Sequence, residues 1–169
     1  MPESGYPRRS DGEEGDKFKL DETLQAEALL LGRRTYEGFA AAWPSRSDEF
    51  ADKFNGMPKY VVSSTLEEPE WNNTTVLKGD VLEQVSSLRA AQGGDVVVHG
   101  SAQLAQSLVD GDLVDELRLM VFPGRPRNRQ RLFGETSKMK RLRLADSRMV
   151  GDGVAILVYE PMATSTAAS

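Results

Sequence analysis

The chain has 169 residues, a net charge of −5, no cysteine and a single histidine, His99. That length suits one domain with a core of its own, and the composition excludes a disulfide scaffold, a cysteine nucleophile, thiolate zinc and a histidine-rich metal site, so no metal is expected. The acidic balance disfavours whole-chain nucleic-acid binding, no apolar run reaches membrane-spanning length, and the opening MPESGYPRRS lacks the apolar stretch of a secretion signal, so a cytoplasmic protein is expected.

Residues 1–15 hold Pro2, Gly5, Pro7, Gly12 and Gly15 and read as loop or disorder. Residues 16–27 read as a helix with Phe18, Leu20 and Leu24 among charges. Ala28–Leu31 is a short apolar strand running into Gly32. Thr35–Trp43 reads as a helix stopped by Pro44, and Asp48–Phe54 as a short helix ended by Asn55-Gly56. Lys59–Ser64 and Thr75–Lys78 read as strands. Asp80–Ala91 is the clearest helix, with Asp80 and Glu83 at capping-box spacing. Val96–His99 is a buried-type strand, after which Gly100-Ser101 opens a helix carrying Leu104 and Leu108. Val114–Phe122 alternates as a strand, and Arg141–Val150 pairs with Val154–Glu160 across Gly151-Asp152-Gly153. Residues 161–169 form a small-residue tail. Alternating strands and helices followed by a hairpin predict an α/β sandwich with a largely parallel sheet and an antiparallel edge.

Two strand-to-helix turns carry the chemical signal. In Leu31-Gly32-Arg33-Arg34-Thr35 a helix start offers free N–H groups, two guanidinium forks and a hydroxyl. His99-Gly100-Ser101-Ala102-Gln103 repeats the pattern. Two such turns at the carboxyl ends of parallel strands suit a pyrophosphate, whereas either alone is more simply just a turn. The chain has no Gly-x-Gly-x-x-Gly, no phosphate-loop motif and no Gly-x-Ser-x-Gly elbow. Asp16, Asp21 and Glu22 are more simply a charged helix face than a carboxylate pair. Between Gly124 and Arg148 nine Lys/Arg face two acids, which reads first as a solvated face and second as a phosphate-polymer contact.

The runs LLLGRRTYEGFAAAWP, PKYVVSSTLEEPEWNNTTVLKGD and DVVVHGSAQLAQSLVDGDLVDELRLMVFP resemble the dihydrofolate reductase superfamily. The closer likeness is to bacterial dihydrofolate-reductase-family proteins, similar to the C-terminal reductase domain of the riboflavin-biosynthesis deaminase/reductase. The resemblance implies a three-layer sandwich on a mixed, mostly parallel central sheet over residues 13–160, between a disordered or atypical segment 1–12 and a disordered tail 161–169. It implies NADPH as cofactor, a small-molecule substrate and a homodimer. Gly32, Arg33, Arg34 and Thr35 match the turn that holds the cofactor phosphates. Ser63 and Ser64 match the polar pair near the adenosine 2′-phosphate. Gly100, Ser101, Ala102 and Gln103 match the turn under the pyrophosphate and nicotinamide, where a branched side chain at Gly100 is expected to fill the pyrophosphate's space.

For catalysis the candidates are weak. Asp16 lies upstream of Gly32 at about the separation of the family's substrate-binding acid, but a helix N-cap is the preferred role. His99, beside the inferred cofactor, is preferred as a turn histidine bonded to backbone.

Two departures from the family pattern stand out. Its first apolar strand is apparently missing, since residues 1–12 offer only Ser10-Asp11-Gly12. After Pro123 the chain reads Gly-Arg-Pro-Arg-Asn-Arg-Gln where the family has an apolar, glycine-containing run. One permitted codon spelling of residues 124–130, shifted by one base, reads Val-Val-Leu-Gly-Thr-Gly. The hypothesis of two compensating single-base indels is tested by resequencing, and codons that cannot be shifted this way would end it. The expected function is an NADPH-dependent reductase of a pterin-like or ribosylamino-pyrimidine substrate, of the 5-amino-6-(5-phosphoribosylamino)uracil reductase type. The alternatives are a cofactor-binding or structural remnant without turnover and, behind it, a phosphate-polymer binder using residues 125–148.

Overall fold

The structure is a computed structural model that describes residues 12–124, 132–133 and 139–163. The expectations for the missing first strand, for the loop at 125–130 and for the end of the tail lie outside the described residues. The chain divides into two compact units, one of residues 19–113 and one of residues 1–18 with 114–169. Helix α1 (Gly12–Gln25) runs through the division at Phe18.

In the first unit β1 (Ala28–Gly32) leads into α2 (Arg33–Ala42), α3 (Glu49–Gly56), β2 (Lys59–Val62), β3 (Thr74–Leu77), α4 (Val81–Ala91), β4 (Val96–Val98) and α5 (Ala102–Asp110). The four strands form a parallel sheet in the order β3-β2-β1-β4. Ala28 to Leu31 are all buried, as expected of a strand flanked on both edges and covered on both faces. Around Leu29, Leu31 and Val61 gather Tyr36, Phe54, Met57 and Trp71, with Phe39, Trp43 and Phe50 packed against them. Trp43 stacks on Phe54 at 5.0 Å, and Phe50 on Phe54 at 4.6 Å.

The helix starts follow from their capping chemistry. Asp48 accepts from Ala51 N–H at 2.8 Å and Asp80 from Glu83 N–H at 2.9 Å, each satisfying a donor that the helix leaves open. Val96–Val98 is half-buried rather than fully buried, because among the described residues β4 pairs only with β1.

Lys59 opens β2. Its side chain is fully buried, and its ammonium donates to the carbonyls of Asn55 (3.1 Å), Met57 (2.8 Å) and Asn72 (2.8 Å), so all three protons have acceptors. It also lies 4.4 Å from the Trp71 ring. Burial draws its pKa down to about 8, while the three carbonyls and the ring favour the charged form. The ammonium thus ties the end of α3 to the turn before β3.

The second unit holds the start of α1, β5 (Leu117–Val121), β6 (Leu142–Val150) and β7 (Val154–Pro161). The strands form an antiparallel sheet in the order β5-β7-β6. Val150, Val154, Ile156 and Val158 bury one face with Phe18, Met120 and Phe122. The α/β class and the strand directions are those expected. Among the described residues hydrogen bonding forms a parallel sheet and an antiparallel one, with β4 bonded only to β1 and β5 only to β7. One correction concerns α1. It starts at Gly12, with Glu13 and Glu14 in its first turn, so Asp16 is an exposed residue inside the helix and not its N-cap. Among the described residues no helix is long and apolar enough to cross a membrane.

Replacing Lys59 by Met leaves three carbonyls without their donor in a closed site. The expected cost is ~2–4 kcal/mol of unfolding free energy, read by urea titration. A loss below ~0.5 kcal/mol would mean that water replaces the ammonium freely.

Candidate functional site

The parallel sheet brings the two turns together. β1 and β4 are hydrogen-bonded neighbours with Leu30 opposite Val98, so both strands end at the same edge, one leading into α2 and the other into α5. β2 ends beside them, with Gly32 opposite Val62. All the residues singled out at Gly32–Thr35, Ser63–Ser64 and Gly100–Gln103 therefore lie along one carboxyl edge of one sheet.

A single hydroxyl joins the two turns. Ser101 Oγ accepts from Gly32 N–H at 2.8 Å, and its own proton is shared between Thr35 Oγ1 at 3.0 Å and the His99 carbonyl at 3.3 Å. To place it there the backbone turns left-handed twice, with Gly100 at φ +58° and Ser101 at φ 55°, ψ 56°. That conformation costs a non-glycine residue ~1–2 kcal/mol, which the hydroxyl's contacts offset. A Cβ at Gly100 would meet Thr35 Oγ1 at 3.3 Å. The glycine is thus required first by backbone conformation and by Thr35, before any ligand is considered.

Neither helix that begins here is capped by a side chain. Gly32 at the start of α2 and Ser101 at the start of α5 form no side-chain cap hydrogen bond to the helix they open. Two helix N-termini with open N–H groups and positive dipole ends lie side by side. Thr35, expected to cap α2 or to meet a phosphate, has its hydroxyl engaged with Ser101.

The flanking polar groups divide into committed and available ones. Arg33 pairs with Glu37 at 2.7 Å and also donates to Thr65 Oγ1, so its guanidinium lies across the end of β2. Ser63 is buried, and its hydroxyl accepts from the N–H groups of Thr65 (3.2 Å) and Leu66 (3.0 Å), shaping the turn. Ser64 and Arg34 are exposed, and Arg34 forms no ion pair among the described residues. Gln103 is exposed in the first turn of α5 beside half-buried Ala102. Thr65 escaped the sequence reading. Its adjacency to Ser63-Ser64, and the i,i+4 spacing of Arg33 and Glu37, were the available signals.

His99 turns its ring away from this polar edge. The imidazole lies 5.5 Å from Phe54 and 6.5 Å from Phe39, and Nε2 is buried without a hydrogen-bond partner among the described residues. Burial lowers its pKa to about 4, so it is neutral at neutral pH. Its carbonyl bonds Ser101, whereas its ring belongs to the aromatic core. Asp16 lies in the other unit. Among the described residues no three His, Asp or Glu side chains converge as a metal cluster.

With this geometry in view, the comparisons with known proteins identify the family. The model of the RibD C-terminal domain matches residues 2–156. The chain belongs to that family. An uncharacterized protein of Bacillus subtilis strain 168, YyaP, is 28% identical over 145 residues, covering 80% of this chain and 74% of the relative. Among solved structures, a putative riboflavin biosynthesis protein from Shewanella sp. PV-4 is similar with a TM-score of 0.67 at 20% identity, over 96% of this chain and 83% of that one. A pyrimidine reductase-like protein from Corynebacterium diphtheriae gives 0.68 at 12% identity, over 96% and 86%. Acinetobacter baumannii RibD gives 0.63 at 15% identity, and this RibD C-terminal domain chain spans about half of it, 53%. At these identities the structural likeness is one of fold, an α/β fold of the RibD reductase and dihydrofolate-reductase type.

The buried imidazole makes stability depend on pH. The folded pKa of His99, about 4, lies below the ordinary 6.5, so its contribution is whole above pH 6.5 and declines as pH falls toward 4. The full span amounts to ~3 kcal/mol. His99→Phe should flatten the stability profile between pH 6.5 and 4. An unchanged profile would place the proton elsewhere.

Proposed function

We propose that this chain is an NADPH-dependent reductase of a small heterocycle, pterin-like or a ribosylamino-pyrimidine of the riboflavin-pathway type. The observation that carries the reading is the pair of uncapped helix starts held side by side by Ser101 Oγ. A helix N-terminus binds phosphate through its free N–H groups and positive dipole end, and two adjacent helix N-termini offer two such sets to a pyrophosphate. Membership of the RibD C-terminal domain family and the names of the Corynebacterium and Shewanella neighbours support the same chemistry.

NADPH fits the residues present. The N–H groups at Arg33–Thr35 and Ala102–Gln103 would bind its pyrophosphate. Arg34 and Ser64, with Arg33 across the end of β2, would hold the 2′-phosphate, a dianion that NADH lacks. Bound in this way the cofactor supplies the hydride, and the chain supplies binding and orientation. Ser101 and Thr35 act by fixing the two turns. The imidazole of His99 has no part in proton transfer, since its ring lies against Phe39 and Phe54.

The test is cofactor choice. NADPH should bind more tightly than NADH, and Arg34→Ala should weaken NADPH by ~10–100-fold while changing NADH little, as one charge-assisted bond is worth ~1.5–3 kcal/mol. Calorimetric titration reads both. Equal affinity for the two cofactors would remove the 2′-phosphate assignment. Tight NADPH binding with no oxidation against any pterin or aminopyrimidine tried would favour the cofactor-binding remnant over the reductase.

A further inference from the structure

The end of α3 carries a reactive pair that the candidate site does not use. Asn55-Gly56 is the one place in the chain where glycine follows asparagine. Nothing in the fold calls for that glycine. Gly56 is helical, its φ is not left-handed, and a Cβ there would meet no atom within 4 Å. Its chemical effect falls on its neighbour. A glycine nitrogen, with no side chain beside it, is the least hindered backbone nucleophile toward a preceding asparagine amide.

The fold holds that attack off. Asn55 Oδ1 accepts from the Trp71 indole N–H at 2.8 Å, and Nδ2 donates to the Trp43 carbonyl at 3.0 Å. The Asn55 carbonyl accepts from the buried Lys59 ammonium at 3.1 Å. Three separate segments thus fix both ends of the side-chain amide and the main-chain oxygen. Helical backbone also directs each N–H at the carbonyl four residues earlier, away from the adjacent side chain. Met57 N–H continues that pattern onto the Lys53 carbonyl at 3.0 Å. The junction nevertheless lies at the surface. Gly56 is exposed and lines an open cavity of about 610 Å³ with Trp71, Asn72 and Asn73. Unwinding one turn therefore brings solvent to the Gly56 nitrogen while the sheet stays closed.

We propose that Asn55-Gly56 is a site of intramolecular deamidation, gated by the last turn of α3. Once that turn opens, the Gly56 nitrogen gives its proton to solvent base and attacks Asn55 Cγ. The new N–Cγ bond forms, the Cγ–Nδ2 bond breaks, and ammonia leaves with a proton returned from solvent. Water then opens the five-membered imide at either carbonyl, giving aspartate or isoaspartate. The balance is asparagine plus water to aspartate plus ammonium, with nothing oxidised or reduced.

The product cannot rebuild the lock. Aspartate at this position has no donor for the Trp43 carbonyl and sets an anionic oxygen against it. Isoaspartate adds a methylene to the main chain inside the turn and displaces the carbonyl that Lys59 holds. Because Trp71 N–H also bonds the Tyr36 hydroxyl, the disturbance passes from α3 to α2. The reaction thus marks, irreversibly, the chains whose α3 has opened.

Peptide mass spectrometry tests the proposal, since cleavage after Lys53 and Lys59 releases residues 54–59 with the junction inside. The full chain is incubated at one pH, native and in guanidinium chloride, and the amide-to-acid mass change is followed in that peptide. The denatured chain should convert ~100-fold or more faster than the native one, whose rate is scaled down by the population of the open turn. Trp71→Phe removes the indole donor and should raise the native rate ~10-fold while leaving the denatured rate unchanged. Gly56→Ala should keep the wild-type fold, because its Cβ has free space, and slow conversion of the denatured chain ~10-fold or more. Equal native and denatured rates, or a native rate indifferent to Trp71→Phe, would overturn the gate. No conversion in the denatured wild type, or undiminished conversion in Gly56→Ala, would overturn the site. If Trp71→Phe fails to fold, the native-to-denatured ratio and Gly56→Ala still decide.

Discussion

The hydroxyl of Ser101 is the point on which the candidate site depends. It accepts from the N–H of Gly32, where β1 becomes α2, while sitting itself where β4 becomes α5. Parallel pairing of β1 with β4 brings the two turns to one edge, but pairing alone leaves each turn free to take its own shape. The bond from Ser101 fixes one turn against the other, and Thr35 completes the contact from the first turn of α2. The left-handed backbone at Gly100 and Ser101 is the cost of delivering that hydroxyl, and strain of this kind concentrates at functional sites.

Everything behind the edge keeps it in place. β1 is buried along Ala28 to Leu31 and bonded on both sides, so the Gly32 end cannot shift without breaking two ladders. Tyr36 on α2 accepts from Trp71 N–H at 3.1 Å, and the Trp71 indole N–H donates to Asn55 at 2.8 Å, tying α2 and α3 to the turn before β3. Lys59 closes the opposite end of the same sheet. The aromatic cluster of Phe39, Trp43, Phe50 and Phe54 takes in the His99 ring as well, which explains why a histidine one residue before Gly100 contributes a carbonyl to the site and not an imidazole.

Much of this was legible in the sequence. The apolar run Ala28–Leu31 before Gly32, the caps at Asp48 and Asp80, and the hairpin across Gly151–Gly153 are local signals that the tertiary structure leaves intact. The two glycine turns were visible as candidates because strand, small residues and helix follow each other twice. The roles within them were not visible. A serine in left-handed backbone has no compositional mark, so Ser101 read as one more ligand group when its hydroxyl is spent on the neighbouring turn. Ser63 was similar: its hydroxyl shapes the loop it begins. Lys59 read only as the first residue of a strand, because three carbonyl acceptors from separate segments cannot be seen in a one-dimensional pattern.

The central claim is that the starts of α2 and α5 act as one anion-binding site. Amide NMR during titration with NADPH measures it most directly. The account predicts that the N–H resonances of Arg33, Arg34 and Thr35 move together with those of Ala102 and Gln103, along one binding curve. Shifts at only one of the two helix starts, or at neither while NADPH binds, would contradict it.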